Sequence, residues 1–206
     1  MDLSKINILS ASKNQESSGK PPEEKKLFSE IKKQNKEAFI KAYDLYVDDI
    51  YRFIYFKVSD SEEARDLTST VFLKTWNHIQ ENNLKDFKTL RALIYTVARN
   101  TVIDYYRKNF KYNNITIDDA DKEIQIVDEK IKISEKAEIN SDYEAVKKNL
   151  EKIKSEYREV VILHYINELS IAEIARVIDK SKGNVRVILS RGLKSLRDEM
   201  EKEKSN

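Results

Sequence analysis

The chain has no cysteine, only three glycines and only two prolines among 206 residues. Without cysteine there can be no disulfide and no thiolate metal site, which is compatible with a reducing compartment. Strands joined by tight turns draw on glycine and proline, so their scarcity favours helices. His78 and His164 are the only histidines, too few and too far apart for a His-rich metal site. No apolar run approaches the roughly 18 residues of a membrane-spanning helix. Met1 to Lys26 lacks the apolar stretch of a secretory signal. Glycine-rich phosphate loops, nucleophile elbows and Cys/His clusters are also missing. Paired acids such as Asp48–Asp49, Glu62–Glu63 and Asp118–Asp119 would point in different directions on a helix rather than into one site. No catalytic residue, cofactor, metal site or membrane insertion is therefore expected.

What the chain does have is charge. Charged residues make up 36% and apolar ones 40%, a balance that suits small helical domains with wide solvated faces. The net charge is only +2, but it is unevenly placed. Lys85 to Lys111 holds seven basic and two acidic residues, and Lys180 to Arg197 six basic and none acidic. Between them, Asn113 to Glu151 holds eleven acidic and six basic residues. Two basic islands about an acidic stretch suggest two polyanion-binding modules and a linker that avoids nucleic acid.

Residues 1–23 are polar and aperiodic and are expected to form a disordered tail. Residues 24–112 carry helical spacing. Leu27, Phe28 and Ile31 mark one helix, and Phe39, Tyr43, Tyr46, Ile50, Phe53, Ile54 and Val58 the next. Asp60 can cap a third helix with Glu63 at capping-box spacing, its apolar stripe being Ala64, Leu67, Val71, Leu73, Trp76 and Ile79. Leu90, Leu93, Ile94, Val97, Ala98, Val102 and Tyr105 mark a fourth, ending near Asn109. Residues 113–140 read as a flexible acidic linker. Residues 141–200 are helical again, with Ser170 and Glu173 set as a capping box and Ser181 as the cap of the last helix. The expected fold is all-α: two small helical domains, the C-terminal one a helix-turn-helix.

A short helix at about Ser170 to Ile178, a tight turn and a basic second helix place the DNA-reading surface. With Val185, Ile188, Leu189, Leu193 and Leu196 facing inward, Lys182, Asn184, Arg186, Ser190, Arg191 and Lys194 face out. The early ones would reach base edges in a major groove and the later ones phosphates, Arg and Asn being suited to bidentate contacts with guanine and adenine. The basic run from Lys85 to Lys111 is interleaved with aromatics, a pattern that suits single-stranded DNA. Tyr105, Tyr106 and Phe110 are the rings expected at its surface, while Trp76 and His164 are expected to be structural.

These segments resemble the small extracytoplasmic-function sigma factors of bacterial RNA polymerase (group 4). A-R-D-L-T-S-T-V-F-L-K-T-W (Ala64 to Trp76) is similar to one conserved segment, with Ser69 and Thr70 where that family usually has Gln and Glu. L-R-A-L-I-Y-T-V-A-R-N-T-V-I-D-Y-Y-R-K (Leu90 to Lys108) resembles the next, matching at Ala98, Arg99, Asn100, Asp104 and Arg107, with Leu93 where a Trp is common. Tyr157 to Ala175 followed by Ser181 to Arg197 looks like the C-terminal helix-turn-helix, N-V-R-V-I (Asn184 to Ile188) departing from the T-V-K-S-R of some members. The resemblance implies docking on the β′ clamp helices of core RNA polymerase through Arg65, Asp66, Ser69, Thr70 and Leu73. It implies melting of the −10 element by Asn82, Asn83, Lys85 and Phe87, backed by Arg91, Arg99, Asn100, Arg107 and Lys108. It implies −35 recognition by the last helix, a contact to the β flap, an anti-sigma factor as partner, and a cytoplasmic, nucleoid-associated location. A helix-turn-helix regulator acting without polymerase would account for the C-terminal half but not for the second basic island. An interaction protein that does not bind DNA would be indifferent to charge reversal at Arg186 and Arg191.

Overall fold

The computed structural model describes residues 21–58, 60–81, 89–112 and 146–205. Every element among them is helical. They fall into two compact units, one built from residues 21–112 and one largely from 146–205. The expected tail up to residue 20 and the expected linker, 113–140, lie outside the described residues.

The first unit has four helices: α1 (Pro21–Lys32), α2 (Lys36–Tyr55), α3 (Ser61–Gln80) and α4 (Leu90–Tyr112). The helix begins at Pro21, so the expectation of a tail reaching residue 23 is corrected. Proline is pre-set for the first helical turn, where its missing N–H is not needed, and Glu23 and Glu24 face the positive end of the helix dipole. The first two helices meet at Gln34, which takes a left-handed φ of 61° and whose Nε2 donates to the Gln80 carbonyl at 3.1 Å. Asn35 then accepts the Ala38 N–H at 3.1 Å and starts α2.

Asp60 caps α3 as expected, accepting the N–H groups of Glu62 at 2.5 Å and Glu63 at 3.1 Å. The Glu63 carboxylate accepts the Tyr105 hydroxyl of α4, so the residue expected to serve the cap ties two helices together. Lys74 reinforces the same pair of helices, its Nζ 3.4 Å from Asp104.

The first helix packs on α2 and α4, and α3 lies against both of these as well. Ile31, Ile50, Phe53, Ile54, Phe56, Ile79, Leu90, Leu93, Ile94 and Tyr95 are fully buried between them. The Tyr95 ring meets Phe53 edge-on at 5.6 Å. A charged pair sits at the margin of this core: Asp49 is buried and bound to Arg52. Removing one partner of such a pair costs about 3–5 kcal/mol.

Two residues expected in the apolar stripes are outside. Tyr43 is 41% and Leu73 63% exposed. The third helix buries Ala64, Thr68, Val71, Phe72, Thr75 and Ile79, and Leu73, two residues past Val71, is turned roughly 200° away from it.

In the second unit, residues 146–151 are helical. They are followed by α5 (Ser155–Val161), a π-turn (Ile162–Ile166), α6 (Ile171–Val177) and α7 (Lys182–Ser205). Val146, Leu150 and Ile153 are buried as their spacing predicts. Arg158 holds the end of that first segment, donating to the carbonyls of Leu150 at 2.8 Å and Glu151 at 2.6 Å, a cation placed at free helix carbonyls. The π-turn was not foreseeable from spacing. Asn167 N–H reaches back five residues to the Ile162 carbonyl at 3.0 Å, which brings Ile162, Leu163 and Ile166 all into the core. His164 is structural, as expected: its Nδ1 lies 2.9 Å from the Leu169 carbonyl.

The capping box is closed in both directions. Ser170 Oγ accepts the Glu173 N–H at 3.3 Å, and Glu173 accepts the Ser170 N–H at 2.8 Å. Ser181 Oγ accepts the Asn184 N–H at 3.2 Å. The last helix runs past the expected end at residue 200. It presses on α5 at Gly192, where an added Cβ would lie 3.2 Å from both Tyr157 Cβ and Val161 Cγ2.

Gly192→Val therefore overpacks the second unit and lowers its unfolding free energy by about 1–3 kcal/mol, seen as a lower midpoint of denaturant unfolding. A midpoint equal to that of the parent chain would show that α5 and α7 can part without loss.

Burial raises the pKa of the Tyr46 and Tyr95 hydroxyls, helped by Glu24 and Asp49 respectively, and burial together with the Glu63 hydrogen bond raises that of Tyr105. The folded state thus holds these protons more tightly than the unfolded chain. The stability they contribute is complete below about pH 10 and declines as the pH rises above it. Tyrosinate absorbance should show the Tyr46, Tyr95 and Tyr105 hydroxyls ionising only with alkaline unfolding. Full titration of all eleven tyrosines in a still-folded chain would contradict this.

Candidate nucleic-acid interface

The core-facing side of α7 is set by Val185, Ile188, Leu189 and Leu196, all buried, with Leu193 half-buried. Lys182, Asn184, Arg186, Ser190, Arg191 and Lys194 are all exposed, as expected. They cover nearly four turns of one helix. Lys180, just before it, pairs with Glu156 at 3.3 Å. None of Lys182, Arg186, Arg191 and Lys194 is ion-paired to another described residue, so their charge faces outward uncompensated. The capped start of the helix adds N–H groups and the positive end of a dipole on the same side.

This face also shows what the sequence reading missed. Val187 is 45% exposed. Its position was legible: successive helical residues turn by about 100°, so Val187 lies nearly opposite the buried Val185.

On α4, Asn100, Arg107 and Lys108 are exposed and Arg99 is half-buried. Arg107 lies 3.9 Å from Asp104, a weak surface pair that leaves the guanidinium largely open to solvent. Arg91 is placed differently. Its N–H donates to Glu24 at 3.4 Å and its guanidinium lies 5.9 Å from the Tyr95 ring centroid, so it helps hold α1 against α4. Tyr105 and Tyr106, expected as exposed rings, are half-buried. Their hydroxyls donate to Glu63 and to the Lys57 carbonyl, because α4 runs alongside both groups. Asn82, Asn83, Lys85 and Phe87 lie outside the described residues, as does the side chain of Phe110.

A third surface lies on α3. Arg65, Asp66, Ser69 and Leu73 are exposed and Thr70 half-buried. The Ser69 and Thr70 hydroxyls donate to their own helix at the Arg65 and Asp66 carbonyls, at 3.2 and 2.9 Å. What they present outward is therefore mostly methyl and methylene. Ile40, 60% exposed, and Tyr43 add apolar surface from α2. The Tyr43 ring rests on Phe72 at 4.7 Å, and Phe39 on Trp76 at 4.9 Å. Ile40 falls outside the phase of its helix's stripe, which is why spacing did not reveal it.

A helix-turn-helix with an uncompensated basic face and a separate helical unit with a second basic helix describe a DNA-binding protein, and α3 adds an exposed apolar face. Comparison with known proteins is specific. Residues 42–111 match the model "Sigma-70 region 2" and residues 143–196 the model "Sigma-70, region 4", together more than half of the chain. The chain is 27% identical over 182 residues to the ECF RNA polymerase sigma factor SigW of Bacillus subtilis, covering 85% of this chain and 96% of that protein. It is 29% identical over 168 residues to SigX of the same organism, covering 80% and 84%. Two solved structures share the fold. One is CnrH in complex with the cytosolic domain of CnrY (TM-score 0.65, 17% identity, 86% of this chain and 97% of that one). The other is the sigma factor RpoE in complex with the anti-sigma factor NepR from Bartonella quintana (TM-score 0.63, 20% identity, 79% and 96%). The chain belongs to the sigma-70 family, as an alternative sigma factor of the extracytoplasmic-function type that directs transcription initiation.

Proposed function

We propose that this group 4 sigma factor grips its promoter at two points and core polymerase at a third. The last helix lies in the major groove of the −35 element. There Lys182, Asn184, Arg186, Ser190 and Arg191 meet bases and nearby phosphates, and Lys194 holds the backbone. Asn100, Arg107 and Lys108, with Arg99 behind them, line the path of the melted −10 strand, together with the segment from Asn82 to Phe87. Leu73, with Arg65, Asp66, Ser69 and Thr70 around it, docks on the β′ clamp helices, and the second unit touches the β flap. Polymerase holds both units, so two weak DNA contacts add through effective concentration. The expected linker between them, 113–140, allows that spacing. An anti-sigma factor that covers the apolar face of α3 would hold the protein inactive in the cytoplasm; one protein of the same fold, RpoE of Bartonella quintana, is a sigma factor in complex with an anti-sigma factor.

The observation that carries this reading is the row of six exposed polar and basic side chains on α7. Run-off transcription with core polymerase, the protein and fragments of its host genome should give defined start sites. Changing Arg186 and Arg191 to Glu should lower that transcription by about tenfold or more, the loss expected for two base or phosphate contacts. Unchanged transcription would remove α7 from promoter recognition. Leu73→Glu should weaken binding to core polymerase by about tenfold while leaving the melting temperature unaltered, because the side chain packs on nothing inside and a desolvated apolar anchor is worth that much. Core binding equal to that of the parent would place the docking face elsewhere.

A further inference from the structure

We infer that Val187 reads the 5-methyl group of a thymine, so that this sigma factor selects thymine at one position of its upstream promoter element. The inference rests on α7 as the duplex reader and names one chemical feature of what it reads.

Val187 contributes nothing to the core. Val185, Ile188, Leu189 and Leu196 fill that side, and Val187 projects from the opposite one. On the outer face it is the apolar member of a set made of Lys182, Asn184, Arg186, Ser190, Arg191 and Lys194, all exposed. Helical geometry puts it in the middle of them. Asn184 and Arg191 flank it on one side and Arg186 and Ser190 on the other, while Lys194 follows two turns on.

A second observation comes from Gly183, one turn earlier on the same face. Its φ is not in the left-handed region, and a Cβ built on it would meet only Ser181 Oγ, at 3.9 Å. Neither backbone conformation nor packing requires glycine there, and alanine is the better helix former. The missing side chain leaves a notch beside the valine. Open space at residue 183 and the exposed Val187 methyls thus lie one helical turn apart on a face otherwise made of hydrogen-bonding side chains.

Among the groups a base pair shows in the major groove, the thymine methyl is the apolar one. Guanine, adenine and cytosine would set polar atoms against Val187 and leave them without a partner. Valine in a helix is nearly fixed at one χ1 rotamer, so little side-chain freedom is lost on contact. The neighbouring arginines fix the register, and Val187 then discriminates.

The test uses the full chain assembled with core polymerase and a promoter duplex selected by that holoenzyme from a random pool. Each thymine of the upstream element is replaced in turn by uracil, which removes only the methyl. Uracil at one position should weaken binding about three- to fourfold, the worth of one buried methyl. Val187→Ala should bind the thymine and uracil duplexes alike. Gly183→Ala, which fills the notch, should lose affinity for the thymine duplex without a lower melting temperature. A selected element without thymine overturns the inference, as does tolerance of uracil everywhere or a thymine preference that survives Val187→Ala. The Arg186→Glu, Arg191→Glu double variant separates the two levels. If it loses the duplex while uracil is tolerated, only the role of Val187 falls. If it keeps the duplex, α7 is not the reader and both fall.

Discussion

The second unit depends on the contact made by Gly192. There α7 has no side chain, and α5 lies against it through Tyr157 and Val161. The rotation of α7 about its own axis follows. With residue 192 turned inward, Val185, Leu189 and Leu196 turn inward too, being one or two turns away, and the basic residues must face out. A helix free to roll would mix its apolar and basic sides at the DNA. The caps at Ser170 and Ser181 then fix where α6 and α7 begin.

The first unit relies instead on side chains that cross between helices. Glu63 with Tyr105, Lys74 with Asp104, and Lys57 with Tyr106 join the start and middle of α3, and the turn after α2, to α4. The exposed residues of α4 and the apolar face of α3 are thereby carried on one stiff body. The two surfaces therefore keep a constant separation, as the proposed function requires of them, and the core beneath them is closed by large residues from all four helices.

Much of this was legible because helix ends write themselves locally. Asp60, Ser170 with Glu173, and Ser181 all cap where their spacing placed them. The outward face of α7 followed from counting residues back from its apolar positions. What could not be read were features set by a neighbour. Leu73 is the exception: two residues past Val71 it is turned to the far side of α3, and spacing alone was enough to place it outside. Tyr105 and Tyr106 read as free rings until α4 brings them beside Glu63 and Lys57. Arg91 counted as one more basic residue, whereas it packs on Tyr95. The π-turn has no local signature at all, since it exists to bring three apolar residues inward at once.

The scarcity of glycine noted at the outset leaves its mark on how the helices are joined. Gln34, Glu168 and Asp179 occupy left-handed backbone positions, with φ of 61°, 56° and 53°, where glycine would sit without strain. Each costs on the order of 1 kcal/mol relative to glycine. In exchange the bend has fewer alternatives, because a residue with a side chain has a smaller range of φ and ψ to wander through. Asp179 lies in the turn of the helix-turn-helix. Stability is thus exchanged for a stiff elbow, and the reading helix arrives at DNA already aimed, with little ordering left to be done on contact.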